Sequence, residues 1–73
     1  MSEILDSITL RVNGEDMRTA RGTSLAGLIA ELGLDMRKVA VERNREIVPR
    51  STYGKTALEF GDVIEIVHFI GGG

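Results

Sequence analysis

The chain begins its predicted folded part with the pattern of a β-hairpin. Residues 8–12 alternate apolar and polar side chains, which is the period of a half-buried strand. Asn13 and Gly14 follow directly, and this dipeptide strongly favours a two-residue hairpin turn. A second, weaker strand is expected over about residues 16–20. The pattern therefore predicts two antiparallel strands at the start of the fold.

A helical pattern comes next. Thr23 or Ser24 can cap the free amides at a helix start, and Gly33 fits a helix end that needs a left-handed residue. Four apolar residues between them have the spacing i, i+3, i+4 and i+7, and we expect all four in the core: Leu25, Leu28, Ile29 and Leu32. We also expect Gly27 to permit a close approach of this helix to a sheet.

The second half of the chain reads as strands and turns. A strand is predicted over residues 39–42, a turn at 44–46, a brief extended piece at 47–48 that Pro49 ends, and a loop or short helical turn within 51–57. A turn at residues 60–62 leads into the most β-prone run of the chain, residues 63–70. One helix covering one sheet gives an α+β roll. We expect the ubiquitin-like β-grasp fold, with a mixed sheet of about four strands and one main helix packed across one face.

Length and composition limit what such a chain can do. Its 73 residues suffice for one domain, which we expect over residues 1–70 with a flexible glycine tail at 71–73. The chain has no cysteine, so a disulfide or a thiolate metal site is excluded. A net charge of −2 gives no basic footprint for nucleic acid or an anionic membrane. No segment has the apolar length of a membrane span, and the first residues lack the pattern of a signal peptide, so we expect a cytoplasmic protein.

The most informative residues are the three glycines that follow the last predicted strand: Gly71, Gly72 and Gly73. One interpretation is a frayed end with no role. The other is a tail that passes through a narrow channel in another protein, because glycine has no side chain to clash there. In that case the carboxylate of Gly73 is the working group. A carboxylate is a poor electrophile, so it would need activation, for example by adenylation with ATP.

The strand before the tail presents two different faces. Side chains two residues apart share a face, so we expect Ile64 and Ile66 inside and Glu65, Val67 and Phe69 outside. Together with Ile70, these outward residues are the predicted partner interface. The alternative, that Val67 and Phe69 pack under a flanking loop, stays open at this point.

Other polar residues carry weaker indications. His68 is the only histidine, and no cysteine or carboxylate cluster accompanies it to form a metal site or a nucleophile–base pair. We expect it to be partly buried on the side of Ile66 and Ile70. Four charged residues in or near the predicted turns could form an ionic rim around a partner, although solvated turn residues are the favoured interpretation: Arg43, Arg45, Glu46 and Arg50.

Two segments of the chain resemble the ThiS sulfur-carrier family closely: residues 41–50, VERNREIVPR, and residues 61–73, GDVIEIVHFIGGG. The resemblance extends to residues 12–14 and 23–28, so it spans nearly the whole chain. The departure is a few extra residues ahead of Ile8.

The resemblance implies a carrier that is a co-substrate and not an enzyme. A ThiF-type, E1-like adenylyltransferase would adenylate Gly73, and sulfur from a cysteine desulfurase or another donor would convert it to a thiocarboxylate. A ThiG-type thiazole synthase would then take the sulfur for the thiazole ring of thiamine. The carrier itself would bind no cofactor or metal, since ATP and magnesium belong to the adenylyltransferase. We expect it to be a monomer when free.

Three alternatives share the predicted fold. A MoaD-like carrier would supply sulfur for molybdopterin, although the chain lacks the proline-containing approach to Gly-Gly that is typical of that family. A ubiquitin-like modifier would instead join its carboxyl group to a lysine of another protein. A plain binding module would use only the sheet surface and would tolerate loss of Gly72 and Gly73. The sequence shows neither an acid–base pair nor a phosphate-binding glycine loop, so an enzyme is the least favoured class.

Overall fold

The N-terminal hairpin forms as the sequence predicts. The computed structural model describes residues 6–69. Strands β1 (Ser7–Val12) and β2 (Glu15–Ala20) pair antiparallel. Asn13 and Gly14 connect them with φ angles of 51° and 86°. Positive φ at both positions is what a tight hairpin turn with the right strand twist requires.

Helix α1 (Leu25–Glu31) follows the hairpin and is closed at both ends. Ser24, and not Thr23, is its N-cap, because the Ser24 Oγ accepts a hydrogen bond of 3.0 Å from the Gly27 amide. At the other end Gly33 has a φ of +76°. The Gly33 amide donates to Ala30 O at 2.9 Å and the next amide donates to Ile29 O at 3.1 Å, which is the Schellman arrangement.

The prediction that Leu32 lies in the core is wrong. Leu25, Leu28 and Ile29 are fully buried, but Leu32 is 36% exposed. It is the C-cap residue, so the helix ends before its side chain reaches the sheet, and it borders an open depression beside the hairpin. Leu34, two residues further on, packs against the core in its place.

The rest of the chain adds two 3₁₀ helices, Met36–Lys38 and Arg50–Lys55, and three strands: β3 (Val39–Arg43), β4 (Glu46–Ile47) and β5 (Val63–His68). The sheet order is β2-β1-β5-β3-β4. β1 and β5 run parallel, and all other neighbours are antiparallel. The mixed sheet with one helix confirms the predicted fold class. The sheet has five strands and not about four, because the short extended piece at Ile47 pairs with β3.

One face of the sheet carries the core. Alternate residues of β1, β3 and β5 meet helix α1 there, and the buried set is Ile8, Leu10, Val12, Leu25, Leu28, Ile29, Val39, Val41, Tyr53, Leu58, Ile64 and Ile66. Tyr53 comes from the 3₁₀ helix Arg50–Lys55, within the segment whose pattern predicts a loop or short helical turn. Its ring is fully buried and its hydroxyl donates to Val39 O at 3.4 Å. The core therefore closes with a segment that has no strand or helix period.

Candidate functional site

In the sequence, the predicted tail follows the central strand of the sheet. β5 lies between β1 and β3, and it pairs with β1 at Val63 and Ile64 and with β3 along residues 64–68. Ile70 and the tail Gly71, Gly72 and Gly73 lie outside the described residues, and their roles stay predictions. What the structure describes is the base from which this segment starts.

A buried carboxylate anchors the start of β5. Asp62 accepts hydrogen bonds from Arg43 Nε at 2.9 Å, from Asn44 Nδ2 at 3.1 Å and from the Glu59 amide at 2.9 Å. Burial raises the pKa of Asp62, but the hydrogen bonds from Glu59, Asn44 and Arg43 outweigh it and hold the pKa below its ordinary value. The carboxylate therefore stays ionised at neutral pH and ties the end of β3 and the turn after it to the segment directly before β5.

Two asparagine side chains extend the hydrogen bonding of β5 beyond its strand partners. Asn44 Oδ1 accepts from the Val63 amide at 3.0 Å, and Asn13 Oδ1 accepts from the Ile66 amide at 2.8 Å. β1 ends at Val12, which pairs with Ile64, so Asn13 serves the amide that β1 is too short to reach. The sequence identified both asparagines only as turn residues.

The two faces of β5 are those that the alternation predicts. Ile64 and Ile66 are buried, whereas Val67 is 61% and Phe69 is 47% exposed. Neither of the two exposed side chains is covered by a loop within residues 6–69. Glu65 also faces outward. The structure therefore brings the described members of the predicted partner interface, Glu65, Val67 and Phe69, onto one exposed strand end.

Val67 and Glu65 also line a shallow depression on the sheet face opposite helix α1, which we call the outer groove. Its volume is about 130 Å³, and its lining consists of Ala40, Val41, Glu42, Ile47, Glu65 and Val67. Ala40 pairs with Val67 across β3 and β5, and Glu42 pairs with Glu65. The sequence did not indicate the contribution of Ala40, Glu42 and Ile47, because nothing in the chain pattern shows which strands become neighbours.

The prediction that His68 is partly buried is wrong. The residue is exposed, although it shares the parity of Ile64 and Ile66 along the strand. Its partner on β3, Val39, is fully buried, but β1 ends at Val12, opposite Ile64, so on that side β5 has no strand neighbour at His68 within the described residues. In the described part of the chain, no group of three or more His, Asp or Glu side chains could hold a metal ion.

The charged residues near the turns are also not uniformly solvated. Arg43 pairs with Asp62, and Arg50 donates to Met36 O at 3.1 Å and to Val39 O at 3.4 Å. Arg43 therefore links β3 to the residue before β5 through a side-chain ion pair, whereas Arg50 contacts backbone carbonyls. Arg45 and Glu46 are exposed, as the solvated interpretation predicts. Over residues 6–69 the structure contains no helix of the length and apolar character that a membrane span needs.

Comparison with known proteins gives a consistent result. The family model described as the ThiS family matches residues 10–73. The chain is 43% identical over 65 residues to the sulfur carrier protein ThiS of Bacillus subtilis, and the match covers 88% of this chain and 98% of that protein. A solved structure of the thiamine biosynthesis protein (ThiS) of Geobacter metallireducens matches with a TM-score of 0.77 at 30% identity, covering 90% of this chain and 100% of that one.

A second kind of relative is larger. The chain is 53% identical over 64 residues to the thiazole synthase of Paramagnetospirillum magneticum. The match covers 88% of this chain but 20% of that protein, so the chain spans about a fifth of the length of this relative. A segment similar to this chain is thus part of a longer protein in that organism.

Proposed function

Because the chain belongs to the ThiS family, we propose that it is a sulfur carrier of thiamine biosynthesis whose working group is the carboxylate of Gly73. The observation that carries this proposal is the extent of the family match, which runs to residue 73 and so includes all three terminal glycines. The near full-length similarity to a protein named as a sulfur carrier supports it. In this role the chain is consumed and regenerated by enzymes and is not itself a catalyst.

The chemistry follows from the carboxylate. One of its oxygens attacks the α-phosphorus of ATP, pyrophosphate leaves, and the product is an acyl-adenylate. Hydrosulfide, or the outer sulfur of a donor persulfide whose S–S bond a thiol then reduces, forms a bond to the acyl carbon, and the bond from that carbon to the AMP oxygen breaks as AMP leaves. The carboxylate has exchanged one oxygen for sulfur and has become a thiocarboxylate. The three glycines let this group enter an enclosed active site without side-chain clashes.

The fold supports this role by fixing the base of the tail. β5 is paired with β1 at its first two residues and with β3 along residues 64–68, and Asp62 anchors its start, so the strand ahead of the tail is held in the sheet. Val67 and Phe69 expose apolar surface close to the tail, which is typical of a protein contact. We propose that these two residues, with Glu65 and Ile70, contact the partner enzymes.

Three partners complete the proposal. A ThiF-type adenylyltransferase supplies the ATP and magnesium site, a cysteine desulfurase or another donor supplies sulfur, and a ThiG-type thiazole synthase accepts it. The occurrence of a similar segment within a thiazole synthase supports the last of these. We place the free carrier in the cytoplasm as a monomer.

The test is the intact mass of the chain after incubation with ATP, magnesium, hydrosulfide and a ThiF-type adenylyltransferase. We expect a mass increase equal to the exchange of one oxygen for one sulfur, and none for a chain that lacks Gly73. No change with an adenylyltransferase that modifies its own carrier would refute the proposal. Isopeptide adducts on other proteins would instead indicate a ubiquitin-like modifier.

A further inference from the structure

The outer groove is lined by two glutamates that are cross-strand partners. Glu42 on β3 and Glu65 on β5 are directly opposite in the antiparallel register, where Cβ atoms are roughly 5 Å apart. Like charges in such a pair destabilise a sheet. Within residues 6–69 neither carboxylate has an ion pair or a side-chain hydrogen bond that would offset this repulsion. The free chain therefore retains an unfavourable pair on an exposed face.

Apolar side chains flank this pair. Ile47 on β4 is opposite Glu42, so one row across three strands runs Ile47, Glu42, Glu65. The next row pairs Ala40 with Val67, and the small side chain of Ala40 leaves the floor of the groove low. Ile47 is 77% exposed. The groove thus has apolar walls and a negatively charged centre.

We propose that the outer groove binds one lysine or arginine side chain of the enzyme that activates Gly73. The long apolar stem of such a side chain fits against Val67, Ala40 and Ile47, while its cationic head lies between Glu42 and Glu65. This occupant matches both the apolar and the acidic part of the groove. A purely apolar side chain would leave the two carboxylates facing each other in a drier environment.

The position of the groove fits an enzyme that works on the tail. Val67 lies six residues before Gly73 (73 − 67 = 6), and six extended residues span at most about 20 Å. An enzyme that holds Gly73 in its active site therefore has its surface within reach of the groove. Engagement of the groove and of the tail by one enzyme would raise the affinity beyond that of either contact alone. This inference rests on the proposed function, since it assumes that Gly73 is the group acted upon.

The test compares Glu42→Gln and Glu65→Gln with the unchanged chain. Binding to a ThiF-type adenylyltransferase is measured by calorimetry without ATP, and adenylation is measured by pyrophosphate release. We expect each variant to raise Kd and KM about tenfold with kcat unchanged, and to reduce the salt dependence of binding. The free variants should unfold at a urea concentration equal to or higher than that of the parent chain, because the repulsion is gone.

Glu46→Gln is the matched control, since it removes one exposed carboxylate from the same edge of the sheet but does not line the groove. It should bind and react like the parent chain. Equal Kd values for the parent chain and both groove variants would overturn the inference while leaving adenylation, and so the proposed function, intact. Loss of a dimer in sedimentation when Glu42 or Glu65 is changed would also overturn it, because the groove would then bind a second copy. If the parent chain binds the enzyme with the expected dependence on both carboxylates but is never adenylated, only the proposed function fails.

Discussion

At the scale of single residues, polar side chains accept hydrogen bonds from backbone amides that the neighbouring strands leave without a partner. Asn13 and Asn44 each accept a hydrogen bond from an amide of β5, and Asp62 accepts three hydrogen bonds at the start of that strand. Buried polar groups without partners are costly, so the partly buried contacts of Asp62 and of the Ile66 amide avoid a penalty as well as adding an interaction. Three side chains therefore hold β5. Asn13 directly follows β1, Asn44 directly follows β3, and Asp62 directly precedes β5.

The Asp62→Asn substitution tests the strongest of these contacts. It keeps the shape of the side chain but removes the charge that Arg43 faces, and we expect a loss of about 2 kcal/mol in the free energy of unfolding at pH 7. Urea denaturation measures this value. Asp16→Asn is the control, because Asp16 forms an exposed ion pair with Arg11, and it should change stability by less than about 0.5 kcal/mol.

The lowered pKa of Asp62 also predicts that the effect of Asp62→Asn on the free energy of unfolding depends on pH. The pKa of Asp62 is lower in the folded state than in the unfolded chain, so its contribution to stability is present above the ordinary aspartate pKa of about 3.9 and is lost as pH falls through the folded-state value. The stability gap between the parent chain and Asp62→Asn should therefore narrow below about pH 4. A gap that stays constant to pH 3 would contradict this account.

Whether a side chain is buried or exposed can be predicted from the sequence where this follows from the local alternation of a strand or the period of a helix. Ile64, Ile66, Val67 and Phe69 alternate along one strand, and their faces follow from that alternation. His68 has the same parity as the two isoleucines, but its exposure depends on where the neighbouring strand ends. Asp62 was identified only as a turn residue, because its partners Arg43 and Asn44 lie nearly twenty residues earlier in the chain.

At the scale of elements, one contact near the start of helix α1 explains why position 27 is a glycine. Gly27 does not serve a close approach to the sheet. A Cβ at this position would lie 3.2 Å from Thr23 Cγ2 and 3.5 Å from Ser24 Oγ, both in the segment that caps the helix. Thr23 is held in place because its hydroxyl donates to Ala20 O at 2.7 Å. The contact that disfavours a side chain at position 27 therefore comes from the cap and not from the sheet.

Alanine in place of glycine within a helix usually raises the free energy of unfolding by about 1 kcal/mol. Because of this contact, we expect Gly27→Ala not to give that gain. The double substitution Thr23→Ser and Gly27→Ala removes the methyl group in the way but keeps the hydroxyl. Relative to Thr23→Ser alone, it should be more stable by about 1 kcal/mol in urea denaturation. An equal gain from Gly27→Ala in the parent chain and in the Thr23→Ser variant would contradict the proposed clash.

Strands and helices are predicted correctly from the sequence where several independent features of the same segment agree. The hairpin has both alternation and an Asn-Gly turn, and helix α1 has an apolar period, a cap and a terminal glycine. β4 has two residues, which is too short for any period to appear, so its pairing with β3 could not be predicted. The outer groove escaped prediction because its lining depends on which strands pair. Ala40 and Glu42 meet β5 through the pairing of β3 with β5, and Ile47 joins them through the pairing of β4 with β3.

At the scale of the whole molecule, the order of the strands sets which part is most stable. β5 is the last strand in the sequence but the central strand of the sheet, whereas β2 and β4 are the edge strands of the sheet. Its pairing with β1 connects the two ends of the domain and depends on contacts that are distant in sequence. Opening the centre of the sheet therefore means unfolding the domain, while an edge can open locally.

Hydrogen exchange measures this difference. We expect the amides of β5 that pair with β3 to exchange only through global unfolding, and therefore to track the stability found by urea denaturation. The amides of Glu46 and Ile47 in the edge strand β4 should exchange faster, through local opening. Protection of β4 equal to that of β5 would show that the sheet opens as one unit and would contradict this prediction.

The hydrogen bond from the Ile66 amide to Asn13 also bears on the behaviour of the chain at high concentration. A strand edge with free amides is a template on which another copy can add a strand, and this leads to aggregation. β5 has such an edge where it extends past β1, and the Asn13 side chain occupies its first free amide. A turn residue thus shortens the segment of β5 with which a strand of another copy could pair.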